Sequence, residues 1–243
     1  VLLLENTRFH PGETKNDDSY ARELAALGDC FVSDAFGTLH RAHASNAGVA
    51  RHLPSAAGRL VEKEVAALAH ATSAPERPYV VIMGGGKVGD KLPLIEQMMG
   101  RADRVLVGGA LANTLLKARG VDVAESRIDP EALDAARALL DTCGERLVLP
   151  DDLLIADDMA AGATTRVIPV SSVPAGWRIL DVGPDTVRRF DDALRDARTI
   201  MWNGPVGMAE VEAFAQGTRQ LARILAAHPG FVIVGGGDTV AAL

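Results

Sequence analysis

Four glycine clusters carry the strongest chemical signal in this sequence: Gly84-Gly85-Gly86, Gly108-Gly109, Asn203-Gly204-Pro205 and Gly235-Gly236-Gly237. Each follows directly on a short apolar run that reads as a strand. Glycine at a strand end lets backbone N–H groups approach a phosphate, and a following helix adds its positive N-terminus. A single cluster reads equally well as a tight turn. Four of them point to a nucleotide site at the carboxyl edge of an open α/β sheet. Residues 84–89 match G-x-G-x-x-G literally, but that dinucleotide fingerprint needs an acidic residue at the end of the next strand. The next run, 104–107, ends in Gly108-Gly109 instead, so a dehydrogenase is the weaker alternative. The P-loop pattern also fails, because Gly89 is followed by Asp90-Lys91. What remains is a glycine loop carrying Lys87 and Lys91. At a helix start that spacing puts both ammonium groups near one face, where they repel unless an anion sits between them. The bland alternative is a pair of solvated surface lysines.

A second signal lies upstream. Residues 35–61 contain no Asp or Glu, yet carry Arg41, Arg51, Arg59, His40, His43 and His52, with Arg8 and His10 before them. A basic patch on an acidic chain suggests a small anionic ligand held by arginine forks. His40 and His43 have no third ligand at a metal-binding spacing. Further along, Asp238 suits a helix N-cap as well as a metal contact, and Glu210 reads alone as a solvated charge. Asp151, Asp152, Asp157 and Asp158 read as a solvated loop.

The elements that must position these residues follow from periodicity. Runs 79–83, 104–107, 146–149, 178–182, 199–202 and 231–234 are short and apolar, as buried parallel strands are. Between them, 92–99, 110–119, 130–142, 185–195 and 213–227 are amphipathic helical patterns. The alternation predicts a parallel sheet covered on both faces. A long helix is expected over 59–72. Before it, strands over 1–4 and 30–32 flank one helix, which is too little for a closed domain. The chain has 243 residues, 48% hydrophobic and 23% charged, with a net charge of −7. That balance argues against nucleic-acid binding. No apolar run is long enough to span a membrane. Two distant cysteines make no disulfide framework and suit a reducing, cytoplasmic compartment.

The strings LLLENTRFHPGE, DAFGTLHRAHAS, GGGKVGDK, GGALANT, LPDD, DVGPDT, MWNGPVG and GGGDT, in this order, resemble phosphoglycerate kinases along essentially the whole chain. The resemblance implies an α/β fold of two Rossmann-like lobes with parallel sheets, joined by an interdomain helix and brought together by hinge closure. On it, 1–58 is the remnant of an N-terminal phosphoglycerate-binding domain, 59–72 the joining helix and 73–243 the nucleotide-binding domain. The front lobe is expected to be incomplete, the chain being cut short at both ends. The implied reaction is reversible phosphoryl transfer from 1,3-bisphosphoglycerate to ADP, giving 3-phosphoglycerate and ATP. A non-catalytic ADP/ATP-binding fragment is the alternative. The implied partners are these small molecules with Mg2+, in a monomer. Arg8, Gly37, Thr38 and Arg41 match phosphoglycerate-binding positions. Lys87 matches the lysine that neutralises the phosphoryl group in transit, with Gly236 and Gly237 as catalytic backbone. Gly85, Lys91, Gly108, Gly109, Asn203, Glu210, Asp238 and Thr239 match nucleotide-binding positions, with Asp238 also the magnesium carboxylate. Gly86 stands where alanine is usual and Ala209 where an aromatic is common; neither removes a charge.

Overall fold

The structure is a computed structural model and describes residues 1–171 and 173–243. The chain divides into two units, Val1–His70 and Ala71–Leu243.

In the smaller unit, helix α1 (Asp18–Ala25) starts at Asp17, whose carboxylate accepts the Tyr20 N–H at 2.9 Å and so satisfies one of the helix's unpaired donors. Strands β1 (Phe31–Ser33) and β2 (Ser55–Ala57) form a two-stranded parallel sheet in which Phe31 faces Ser55 and Ser33 faces Ala57. Helix α2 (Arg59–Ser73) follows directly. Its first N–H groups are capped from a distance: Asp34 accepts from Leu60 at 2.7 Å and from Val61 at 3.1 Å. The strand expected over 1–4 does not form. A strand is held by a neighbour's N–H and C=O groups, and 1–4 has no ladder partner among the described residues. Its side chains stand exposed.

The larger unit is a Rossmann-like α/β layer structure. Strand β3 (Tyr79–Met83) leads through α3 (Val88–Met99) to β4 (Arg104–Val107), and α4 (Gly109–Ala118) and α5 (Leu133–Cys143) lead to β5 (Leu147–Val148). An excursion through β6 (Asp152–Ala156), β7 (Thr165–Pro169) and β8 (Arg178–Val182) ends at α6 (Pro184–Leu194). The chain then returns to β9 (Thr199–Asn203), α7 (Gln216–Ala226), β10 (Phe231–Gly235) and the short α8 (Gly237–Ala241). The five-stranded sheet runs β10-β9-β3-β4-β5, all parallel. Both of its faces are buried, as period-2 alternation shows. Tyr79, Val81, Met83, Val105 and Val107 pack on α3, α4 and α5, while Val80, Ile82, Leu106, Ile200 and Trp202 pack on α6 and α7. The α6 contribution, Val187, Phe190 and Leu194, recurs at helical spacing.

Two expectations are corrected here. The run 178–182 is a strand, but it lies antiparallel to β6 in a separate three-stranded sheet, β7-β6-β8. The acidic stretch 151–158 is a solvated loop only at its ends, where Asp151, Asp157 and Asp158 stand exposed: β6 runs through its middle, and Asp152 is buried. That carboxylate accepts from the Thr186 N–H at 2.7 Å and the Asp185 N–H at 3.0 Å, capping α6 from 34 and 33 residues away. The pairing explains its burial, since a lone carboxylate in that position would be too costly. No helix among the described residues is long and apolar enough to cross a membrane.

Candidate functional site

Strand order reverses between β3 and β9: β4 and β5 extend the sheet to one side, β9 and β10 to the other. At such a switch point the loops leaving the strands diverge and open a crevice beyond their carboxyl ends. Three of the glycine clusters meet there and interlock. Gly84 N–H donates to the Asn203 carbonyl at 3.0 Å, Gly85 N–H to the Pro205 carbonyl at 2.8 Å, and Gly109 N–H to the Val206 carbonyl at 2.8 Å. The approach excludes side chains. A Cβ on Gly84 would stand 2.1 Å from the Pro205 oxygen, and one on Gly204 would stand 2.2 Å from the Gly84 oxygen. Below this layer, the buried Trp202 indole donates to the Gly204 carbonyl at 2.8 Å, and the Thr239 hydroxyl accepts the Gly204 N–H at 2.7 Å.

The cleft above the interlocked loops has a volume of about 480 Å³. Of the residues expected at the site, Gly85, Gly109, Glu210 and Asp238 line it. Lys91 is not part of the cleft lining but lies behind the glycine loops: the half-buried ammonium donates to the Gly84 carbonyl at 2.5 Å and to the Asn203 carbonyl at 3.4 Å, tying the ends of β3 and β9 together. An ammonium has three donors, so one remains for a ligand. Burial holds the Lys91 pKa below the usual lysine range; Asp238 opposes the shift and Lys87 adds to it. Lys87 itself is exposed at the N-cap of α3 and forms no part of the cleft wall. The two lysines thus share a field but not an environment.

The other expected residues fall as follows. Gly108 is buried and donates to Met83 at 2.9 Å. Gly236 takes φ +92°, a conformation that favours glycine, and faces the Asn203 side chain. Gly237 opens α8, and Thr239 is buried beneath Gly204 rather than open to the cleft. Gly37, Thr38 and Arg41 lie together in the smaller unit. The Thr38 carbonyl accepts from the Arg41 N–H and from the Asn46 side chain, both at 3.0 Å. Arg8 belongs to the separate turn Thr7–Phe9. Both arginines are exposed, and no carboxylate pairs with either among the described residues.

Among the cleft residues that sequence reasoning missed are Asn113, Arg127 and Asp181. Asn113 and Asp181 sit inside the GGALANT and DVGPDT strings but drew no role, and Arg127 gave no signal. Asp181 is buried. Desolvation pushes its pKa up to about 7, against the backbone N–H groups of Gly217, Val182 and Gln216, which pull it down. Among the described residues no group of three metal-ligating side chains occurs.

Comparison with known proteins gives one answer. The family model described as phosphoglycerate kinase matches residues 1–243. The chain is 51% identical over 246 residues to the phosphoglycerate kinase of Roseiflexus castenholzii and 52% identical over 243 residues to that of Rubrobacter xylanophilus. Each alignment covers 100% of this chain and 62% of the relative, so the chain spans about 62% of the length of these relatives. The structure of phosphoglycerate kinase from Coxiella burnetii matches with a TM-score of 0.86 at 43% identity, covering 98% of this chain and 62% of that one. The enzyme from Pyrococcus horikoshii OT3 matches at 0.87 and 32% identity, covering 98% of this chain and 63% of its own. A family model matched from the first residue to the last, with solved relatives sharing the fold, establishes that this chain belongs to the phosphoglycerate kinase family.

Proposed function

We propose that the protein carrying this chain transfers a phosphoryl group between 1,3-bisphosphoglycerate and ADP, as a monomeric cytoplasmic enzyme of glycolysis. The observation that carries the reading is the cleft at the switch point, floored by interlocked glycine loops, with Asp238 in its wall and Lys91 bonded to the glycine loop behind it. A nucleotide fits that chemistry. Backbone N–H groups and a cation suit phosphates, while Leu153, Ile179 and Met208 supply apolar wall for a base. The exposed Glu210 carboxylate on the rim is placed to accept from ribose hydroxyls.

The donor set fits Mg2+ in the manner of nucleotide enzymes. That ion takes one or two carboxylates and completes its shell with substrate phosphates and water, and Asp238 is the cleft carboxylate expected to serve it, Glu210 being the other expected carboxylate on the lining. Bound with the nucleotide, the ion would neutralise phosphate charge. The chain's own residues do the rest. The attacking ADP oxygen is already anionic, so no general base is required. Positioning and charge stabilisation are what phosphoryl transfer asks of a protein. Lys87, exposed at a helix N-cap, supplies positive charge to the group in transit, and Lys91 holds the nucleotide phosphates. Gly236 and Gly237, at the start of α8, contribute backbone N–H donors. Arg8 and Arg41, with no carboxylate partner among the described residues, hold the phosphoglycerate from the other unit, and hinge closure brings the substrates together.

A second reading is favoured by one observation. The smaller unit exposes Leu3, Phe9 and Val32 and has only a two-stranded sheet. On that reading these 243 residues, taken alone, bind ADP or ATP without turnover.

Calorimetric titration of the chain with MgADP tests the site, since the larger unit holds all of it. The expected result is saturable binding that is lost or strongly weakened in Lys91→Ala. A well-folded sample that binds no MgADP would refute the nucleotide reading. Turnover of 1,3-bisphosphoglycerate by the same sample would then separate the enzyme from the binding fragment.

A further inference from the structure

The cleft has two chemically different ends. Lys91, Asp238 and the Asn203–Gly236 contact lie at the β9/β10 end. Ala110, Asn113, Leu153 and Ile179 lie at the other, where α4 meets the antiparallel sheet. Arg127 belongs to this second end. Its carbonyl accepts from the buried Asn113 amide at 3.3 Å, and its neighbour Ser126 accepts the Ile179 N–H at 2.8 Å. The backbone is therefore fixed on both sides while the side chain is exposed to the cleft.

The guanidinium has a defined attitude. A Cβ built on Gly86 would stand 3.0 Å from Nη1, 3.2 Å from Cζ and 3.5 Å from Nη2. A point as near to Cζ as to the two nitrogens lies over the face of the group, not off its edge. One face of the guanidinium thus rests on Gly86, in space that a methyl group would crowd. The other face is left as cleft wall. Four other arginines of this unit are committed: Arg77 to Asp103, Arg137 to Asp134, Arg189 to Asp151, and Arg146 to the Ala102 carbonyl. Among the described residues no acceptor or carboxylate holds the Arg127 guanidinium.

A flat, unpaired cation at the apolar end of a nucleotide cleft has a specific use. We infer that Arg127 determines base binding: the purine ring stacks on the guanidinium face that Gly86 supports from behind. Cation–π attraction in a partly desolvated site is the physical basis, and lysine, lacking a flat face, does not replace it. The inference rests on the reading of this cleft as a nucleotide site.

The test compares three probes, MgADP, adenosine and magnesium pyrophosphate, on the chain and on Arg127→Ala and Arg127→Lys. Both variants should weaken MgADP and adenosine by the same factor, roughly 5- to 30-fold, and leave pyrophosphate unchanged. Gly86→Ala, which displaces the guanidinium, should weaken adenosine in the native background and have no further effect in Arg127→Ala. Loss of pyrophosphate affinity with adenosine unchanged would make Arg127 a phosphate contact and overturn the assignment. So would equal losses for all three probes, the mark of general damage, or no loss at all. Failure of the unaltered chain to bind MgADP would overturn the nucleotide reading itself and this inference with it.

Discussion

A Cβ added to Gly84, at the carboxyl edge of the parallel sheet, would stand 2.1 Å from a backbone oxygen, whereas one added to Gly37 in the smaller unit would meet nothing within 4 Å. Both glycines belong to candidate anion sites, yet the sites are built differently. At the switch point the backbone is the site. Three strand ends are hydrogen-bonded to one another, a tryptophan and a threonine brace them from below, and Lys91 is fixed between two carbonyls. In the smaller unit the backbone is only a platform, a short turn held by Asn46, and the charges ride on exposed arginines. The first arrangement is organised by folding before any ligand arrives; the second must order long side chains on binding. Geometry at the first therefore depends on stability, and at the second it does not.

The contrast breaks most visibly at the glycines. Gly84→Ala forces a methyl group onto the Pro205 carbonyl, and overpacking against backbone cannot relax by a rotamer change. Unfolding of the larger unit in urea should show a loss of at least about 3 kcal/mol. Gly37→Ala should stay within about 0.5 kcal/mol, as surface substitutions do. Equal losses would mean that the turn is as tightly determined as the switch point.

Lys87→Ala comes next. Exposed and outside the cleft wall, it should leave MgADP affinity and stability nearly unchanged while lowering turnover of the active enzyme about 10²-fold or more, the usual cost of one donor to developing charge. Steady-state kinetics with both substrates would show this as a fall in kcat. A rise in the KM for ADP alone would assign Lys87 to ground-state binding instead.

Asp181 sharpens the link between stability and site. Its folded pKa, about 7, lies above the ordinary carboxylate value, so the native state holds a proton that the unfolded chain releases. Its stability contribution is full below about pH 4 and is lost as pH rises through 7. Between pH 5 and 8 the unfolding free energy should fall by about 2 kcal/mol, at up to about 1.4 kcal/mol per pH unit. In Asp181→Asn that slope should vanish, whatever the variant's absolute stability. A slope unchanged by the substitution would place the titration elsewhere.

The same difference explains what the sequence disclosed. β3, β4 and β9 were legible because a strand buried on both faces is apolar throughout, as in Tyr79–Met83, and β10 because its run is apolar although it is only partly buried. The glycine clusters were legible as strand ends, but their interlocking was not: Lys91 and Asn203 meet across 112 residues. β6 was hidden because Asp152 is polar for a reason 34 residues away, the N–H groups of α6. β7 was hidden by its mostly exposed side chains, and the direction of β8 by its dependence on which strand lies beside it. Arg127 was invisible, since only the tertiary fold sets a guanidinium on Gly86. In the smaller unit the basic stretch could be read directly, because its charges are exposed and depend on little else.

The smallest effect on the fold should come from Arg41→Ala. The Arg41 Nε–H donates to the imidazole of His40 at 3.3 Å, and no carboxylate balances the charge among the described residues. The Asn46 amide reaches the Thr38 and Arg41 carbonyls, not the guanidinium, so the turn survives truncation of the side chain. Thermal unfolding should be unchanged, within about 0.5 kcal/mol, while affinity for 3-phosphoglycerate in the active enzyme falls about 10-fold or more. Arg41→Lys should recover only part of that loss, because an ammonium keeps the charge but not the planar fork that meets a carboxylate or phosphate in two hydrogen bonds. If Arg41→Ala lowered stability as much as affinity, the arginine would be holding its own turn together. The smaller unit would then share the switch point's dependence on folding, and the distinction between a site made of backbone and a site made of side chains would fail.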